Sequence, residues 1–443
     1  MELFIFILFV IALVFCLLSG YSVNFAILFA VSLVFLYGLK RGSSWREMLY
    51  LTIEGAKKSR NLAITLSLVG LLSASWRACG SIAYIVFYLA RFSFPWLLLP
   101  STFLFCGITC CFLGSRFGTV ATLGAICMTL GVDMGIPPAL IGGAALSGCY
   151  LGDRCSPISS TSLLVAGLTK TNTFFNAKRY ISTSTVPFVI AILLFLAIGL
   201  SLNVTGVARA TGQIYADNFN LSSITLLPIV FLVLLAFFRF EVKRTLCVST
   251  LLAVIVALFC QKVHFWQIPG ILFNGFTPTN PRLDEIIGGG GFVSVWQTVL
   301  LVVICSCLSS LFKGTNFLDG VKGLVYALHK KVGHFFCILT VATMASAISC
   351  NIALSVILTR QLCGSLYEDK SDLALDLKNT AVILHALIPW SIDCAMLLEI
   401  IRAPLSSAAF AFFPMALVAH ASFLAWRKRQ KQLIEQNQLL AVS

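Results

Sequence analysis

Charge is what this sequence has least of. Only 11% of its 443 residues are Asp, Glu, Lys or Arg, against about 25% in an ordinary soluble domain. That shortage excludes a water-soluble enzyme of this length, and disordered or fibrous chains with it. Acids are scarcer still, 17 against 31 basic residues, and there are 5 histidines. No H-E-x-x-H pair, no G-x-S-x-G turn and no phosphate loop ending in G-K-[ST] occurs. A membrane-embedded enzyme or an ATP-driven machine therefore lacks its chemistry. Arg and Lys are not interleaved with aromatics in any stripe, which sets nucleic acid aside as a partner. Cysteine is not lacking, but the 16 residues are scattered without metal-ligand spacing. They read as small buried hydrophobes.

What is present is hydrocarbon. Hydrophobic residues make up 59% of the chain, 36 of them Phe, and the mean hydropathy is +0.96. A fold this apolar needs lipid as its solvent. The run Met1–Gly20 has Glu2 ahead of it, no Lys or Arg, and no small-residue cleavage site. It reads as a first membrane helix rather than a secretory leader. From Leu3–Leu18 to Pro404–Trp426 the apolar runs give roughly ten to twelve crossings, some too short to span alone. The expected fold class is an all-α polytopic membrane protein, with two inverted repeats, broken helices and re-entrant hairpins.

Positive charge sets the topology. Basic clusters lie at Lys40–Arg60, Lys170–Arg179, Arg239–Arg244, Lys313–Lys331 and Arg427–Lys431, while 204–222 and 261–291 are poor in Lys and Arg. The positive-inside rule then places both termini in the cytoplasm, across a plasma membrane. The chain divides into N-terminal helices with a basic cytoplasmic loop (1–60), a first repeat (61–203) and connecting helices with a Gly/Pro-rich external linker at Gly275–Gly291 (204–291). A second repeat (292–426) and a cytoplasmic tail (427–443) complete it.

The two halves rhyme. In the first, the interruption Gly114-Ser115-Arg116-Phe117-Gly118-Thr119 precedes a second break at Asp153–Ser160. In the other, Ser346–Asn351 precedes Leu387-Ile388-Pro389-Trp390-Ser391. Gly118 to Pro157 is 39 positions, and Asn351 to Pro389 is 38. Paired interruptions in two halves point to a transporter binding site.

The chemistry concentrates at Gly152-Asp153-Arg154-Cys155-Ser156-Pro157-Ile158-Ser159-Ser160-Thr161-Ser162. Proline breaks the helix and frees carbonyls, and such a break survives in a bilayer only inside protein or beside water. The Asp153 carboxylate with the hydroxyls of Ser156, Ser159, Ser160 and Thr161 is the hard-oxygen set that Na⁺ or H⁺ prefers. The alternative is an Asp153–Arg154 ion pair at a helix end, with the serines as caps. Arg77, Arg116 and Arg360 are costly in apolar runs unless paired or wet. Arg116 could neutralise Asp153 or meet an anionic substrate, and Arg360 follows the second interruption. Asp133, before Gly135-Ile136-Pro137-Pro138, reads as a turn acid, and Glu399 with Arg402 reads as an ion pair at a helix end.

The stretch Gly152-Asp153-Arg154-Cys155-Ser156-Pro157-Ile158-Ser159 resembles the G-D-K-x-S-P-L-S signature of the NhaC family of sodium/proton antiporters. Gly114–Thr119 is similar to that family's G-x-x-[WF]-G-T segment, and Leu387-Ile388-Pro389-Trp390 to its L-I-P-W. The motifs keep family order over residues 114 to 393. The resemblance implies inverted repeats moving by alternating access. The chain also departs from the pattern. The family's S-D-T-T-N is here Ser159-Ser160-Thr161-Ser162-Leu163, an acidic pair has become Lys378 and Asn379, and W-N-T is Trp390-Ser391-Ile392. Asp393 and His385 flank the second break as compensations, each able to titrate or simply to cap and pack.

These residues lead to a secondary transporter exchanging H⁺ for Na⁺ or another monovalent cation. Asp153 and Asp393 would serve as ion and proton groups, with Ser156, Ser159, Ser160, Thr161, Thr119 and Ser391 around them. Arg116, Arg360, Asn351 and His385 would be charge or substrate partners. No cofactor is needed, lipid is the surrounding partner, and a homodimer is compatible with the scheme. An organic-solute antiporter for a small organic anion or amino acid is the alternative, favoured by the lost acid at Ser160 and by the arginines.

Overall fold

The computed structural model describes the chain apart from residues 1, 20, 22, 90–94, 158, 203–214, 239, 241, 279, 281–282, 285–286, 316–321 and 443. Ile158 of the signature, Arg239 and most of the expected 204–222 loop lie outside the described residues.

Helices form wherever apolar runs are free of breakers. The chain opens with α1 (Glu2–Leu18), α2 (Val23–Lys40), α3 (Trp45–Ala78), α4 (Ser81–Leu89) and α5 (Pro95–Leu113). After a turn come α6 (Arg116–Thr119), a π-helical stretch Val120–Gly124 and α7 (Ala125–Asp133). The helices α8 (Pro138–Cys155), α9 (Ser160–Thr169) and α10 (Thr173–Ser201) complete the first half. Next are α11 (Leu227–Phe237), α12 (Val242–Cys260), α13 (Ile268–Asn274) and α14 (Gly291–Gly314). The last part holds α15 (Lys322–Val332), α16 (His334–Ser349), α17 (Ile352–Cys363) and α18 (Lys370–Leu377), which runs into a π segment, Lys378–Val382. Finally come α19 (Ile392–Ile400) and α20 (Phe412–Val442). Among the described residues the chain is helical with one isolated antiparallel bridge, Phe276 to Gly289. Among the described residues, four helices are long and apolar enough to cross a bilayer, within Pro95–Phe112, Thr173–Ser201, Lys243–Cys260 and Gly291–Gly314. Their lipid-compatible faces remain outward, with Leu193, Leu200, Leu251 and Phe259 exposed. This is an all-α polytopic membrane protein.

Two expectations are corrected. The basic stretch up to Arg60 is not a loop: Ser44 caps α3 by accepting from the Glu47 amide at 3.2 Å, and one helix then runs on to Ala78. Lys58 pairs with Glu54 at 2.7 Å on its surface. The described part of Gly275–Gly291 is not a free linker either, since Arg77 and Arg402 clamp it. Their guanidiniums donate to the Ile287 carbonyl (2.9 Å) and the Gly288 carbonyl (2.7 Å) respectively. Arg402 thus bonds the backbone while still interacting electrostatically with Glu399.

The same two devices occur in both halves. A left-handed residue, Gly114 (φ 64°) or Cys350 (φ 53°), turns the chain at the end of α5 or α16. The next residue, Ser115 or Asn351, is extended and caps the following helix through Gly118 N or Leu354 N, each at 3.2 Å. Later, Ser159 and Ser391 cap α9 and α19, with φ near −66° in both and ψ of 147° and 143°. Each hydroxyl also donates six residues back, Ser159 to the Asp153 carbonyl (2.9 Å) and Ser391 to the His385 carbonyl (2.7 Å).

The helix α8 is placed by close approach. A Cβ on Gly152 would stand 2.3 Å from the Gly107 carbonyl oxygen, and one on Gly148 would stand 2.4 Å from that of Phe103. Bare backbone lets α8 lie directly on α5, the usual device for helix contact in lipid. Phe103, Tyr150, Phe195 and Phe413 fill the core around that contact.

Candidate functional site

Pro157 cannot continue α8, and Ser156 before it is extended (φ −79°, ψ 120°), so the helix ends one turn past Gly152. Asp153 is left on that last turn, 1% exposed. The restart at Ser159 folds the first turn of α9 back over it. Thr161 Oγ1 donates to Asp153 Oδ2 at 2.5 Å. The third contributor comes from the other half of the chain. Lys378, also 1% exposed, reaches Nζ to Asp153 Oδ2 (3.1 Å), the Asp153 carbonyl (3.4 Å), Ser162 Oγ (3.1 Å) and Thr161 Oγ1. Its ammonium therefore faces four oxygens of one helix break.

Arg116 joins the two breaks. Its Nη2 meets Asp393 Oδ1 at 2.8 Å and its Nε lies 3.7 Å from Asp153 Oδ1. The guanidinium lies over the Tyr150 ring, 4.8 Å from the centroid. Asp393 sits on the first turn of α19 and faces the backbone amide of Ile352, while Ile392 N donates to the Cys350 carbonyl at 2.8 Å. The two stretches that the sequence marks as interrupted are thus brought face to face, with a guanidinium between their acids.

Arg154 turns the other way from Asp153. It donates to Ser184 Oγ (2.8 Å), Thr183 Oγ1 (2.8 Å) and Asn379 Oδ1 (2.7 Å), and lies over Tyr180. The helix-end pair between Asp153 and Arg154 does not form. All three partners are neutral, and its Nη1 has none although buried. Thr183 and Asn379 also line a cavity of about 610 Å³, whose walls carry Arg179, Asp372, Asp376 and Lys428. Lys378 does not line it, whereas the next residue in sequence, Asn379, does.

Other expected site residues fare differently. Thr119 is buried and donates to the Ser115 carbonyl (2.9 Å), on the same short helix as Arg116. Ser391 and Asn351 act as caps. Ser156 is buried with its hydroxyl unpartnered. Ser160 is exposed at the start of α9, so its hydroxyl points away from the cluster. His385 is fully buried with neither ring nitrogen partnered. Arg360 lies on the last turn of α17 against Gly364 and does not reach the cluster. Asp133 is buried and accepts from Tyr215 at 3.1 Å, more than a turn acid. Sequence reasoning missed Ser162 and Arg154 as site groups and took Lys378 and Asn379 only as lost acids. The available signal was weak: Lys378, with Asn379 and Thr380, heads the apolar run Ala381 to Leu384.

The sequence has relatives among known proteins. The profile of the Na⁺/H⁺ antiporter family matches residues 148–425. The Na⁺/H⁺ antiporter NhaC of Alkalihalophilus pseudofirmus is 31% identical over 370 residues, 79% of this chain and 78% of that protein. A malate-2H⁺/Na⁺-lactate antiporter of Bacillus subtilis is 25% identical over 80% of this chain and 78% of its own. An arginine/ornithine antiporter of Halobacterium salinarum is 23% identical over 88% and 84%.

Proposed function

The chain belongs to the Na⁺/H⁺ antiporter family, and from that premise we propose that it exchanges protons for Na⁺ or another monovalent cation at Asp153, by alternating access. The observation carrying this reading is the ring of oxygens from Asp153, Thr161 and Ser162, which already holds a cation of unit charge, the Lys378 ammonium. Oxygens that accept an ammonium in a dehydrated pocket suit a bare monovalent ion as well. Cation and proton would compete for the Asp153 carboxylate, and Arg116 would tie the Asp393 side of the site to it.

The twin turns and breaks support two inverted repeats, whose relative movement would carry the site across. The basic clusters support a plasma-membrane protein with both termini in the cytoplasm. In everted vesicles, Na⁺ or Li⁺ should discharge a preformed proton gradient, and Asp153→Asn should abolish the response while the protein still purifies as a folded species. An unchanged response in Asp153→Asn would remove Asp153 from the exchange.

A second reading has its own observation. Arg154 is a buried guanidinium held by neutral oxygens, two of which floor the cavity. A cavity near 610 Å³ falls in the range that takes small organic ligands, and relatives named above exchange carboxylates and amino acids. A proton response to malate, lactate or an amino acid, with none to Na⁺ or Li⁺, would select an organic-solute antiporter.

A further inference from the structure

The ammonium of Lys378 fills the place a transported ion would take. Four oxygens of one helix break surround it, and Tyr180 presents its ring at 5.9 Å. The surrounding charge leaves no room for a second cation. Arg116 and Lys378 meet Asp153 and Asp393, a balanced set of two cations and two anions, and all four are at most 7% exposed. Adding an ion with Lys378 still in place would leave one positive charge uncompensated in a low-dielectric interior, where that is expensive. Lys378 also starts a π-helical segment, Lys378–Val382, a wider turn that recurs at functional sites.

We propose that Lys378 is the specificity-determining residue of the site: a tethered cation that holds the ion position and must withdraw before a free monovalent cation can enter. This rests on Asp153 being the ion-binding carboxylate, and adds that the chain carries its own competitor. Its retreat has a direction. The next residue in sequence, Asn379, lines the cavity, and we assign that water-accessible space as the destination of the withdrawn ammonium. Arg116 and Arg154 cannot substitute, because each is fixed by its own partners.

The test is equilibrium binding of ²²Na⁺ to the purified full-length protein, alongside its melting temperature with and without NaCl. Lys378→Met removes the competitor and keeps the bulk. It should bind Na⁺ about tenfold or more tighter than wild type, equivalent to at least ~1.4 kcal/mol, and gain a Na⁺-dependent rise in melting temperature. Lys378→Arg keeps a permanent charge and should melt like wild type while binding no Na⁺. The inference is overturned if Lys378→Met binds no tighter than wild type, or if Lys378→Arg binds as wild type does. Should Lys378→Met fail to fold, Lys378→Arg decides alone. Vesicles of wild type that ignore Na⁺, with tight binding in Lys378→Met, would sink the cation-exchange reading and leave the tethered cation standing. Asp153→Asn abolishing binding in the Lys378→Met background ties the gained site to this ring, and binding that survives it overturns the assignment.

Discussion

A single hydroxyl holds the cluster together. Thr161 donates to the Asp153 carboxylate and accepts from Lys378, so it orients both charges at once. Thr161→Val keeps the shape and deletes both contacts. Leaving buried charged groups short of one partner costs about 1–3 kcal/mol, so the Na⁺ concentration giving half-maximal discharge of the proton gradient should rise about tenfold or more. Thr161→Ser should restore it, and a Thr161→Val protein with wild-type sensitivity would exclude the hydroxyl from the site. Asp153 and Thr161 were legible because a carboxylate beside a proline break is a local pattern. Lys378 was not. In one dimension it is a lysine at the head of an apolar run, which reads as a helix end, and only the pairing of two distant segments makes it a neighbour of Asp153. Ser160 misled for the opposite reason: adjacency in sequence puts it in the motif, while the helical turn of α9 aims it outward.

At the level of elements, the breaks were readable and the continuous helices were not. Proline, glycine and capping serines act within a few residues, so Ser156–Ser159 and Pro389–Ser391 announce themselves. The run of α3 through Lys57, Lys58 and Arg60 depends on packing along α14, which charge counting along the chain cannot see. The paired turns allow a direct comparison of backbone chemistry. Gly114 adopts its left-handed conformation freely, whereas Cys350 holds the same conformation with a side chain, at about 1–2 kcal/mol. Cys350→Gly should therefore raise the melting temperature in detergent and leave exchange intact. Gly114→Ala should lower it by a comparable amount. Equal melting of Cys350→Gly and wild type would mean that the Cys350 side chain, buried among Ile348, Ile392 and Met396, returns in packing what its backbone loses.

The molecule as a whole presents its cluster to one side. The cavity that Thr183 and Asn379 line is also walled by Arg179, Asp372, Leu375, Asp376, Lys428 and Arg429. Its walls carry both signs, Arg179, Lys428 and Arg429 beside Glu368, Asp369, Asp372 and Asp376, and the proposed orientation, with the basic tail in the cytoplasm, makes this the cytoplasmic mouth. Under the proposed alternating access, such a mouth should close when the site opens to the other side. Leu375 lines the cavity without bonding to the charged cluster, so a cysteine there reports on the mouth alone. With Cys247, an exposed native thiol, replaced by serine, Leu375→Cys should react with a membrane-impermeant maleimide in everted vesicles and not in intact cells. An imposed ion gradient that drives the carrier to its opposite-facing state should slow that labelling. Labelling from the outer surface of intact cells would reverse the orientation. A rate indifferent to the gradient would mean that the cavity is a fixed surface feature, and the moving part would then have to be sought on the Arg77–Arg402 side, where two guanidiniums clamp Gly288.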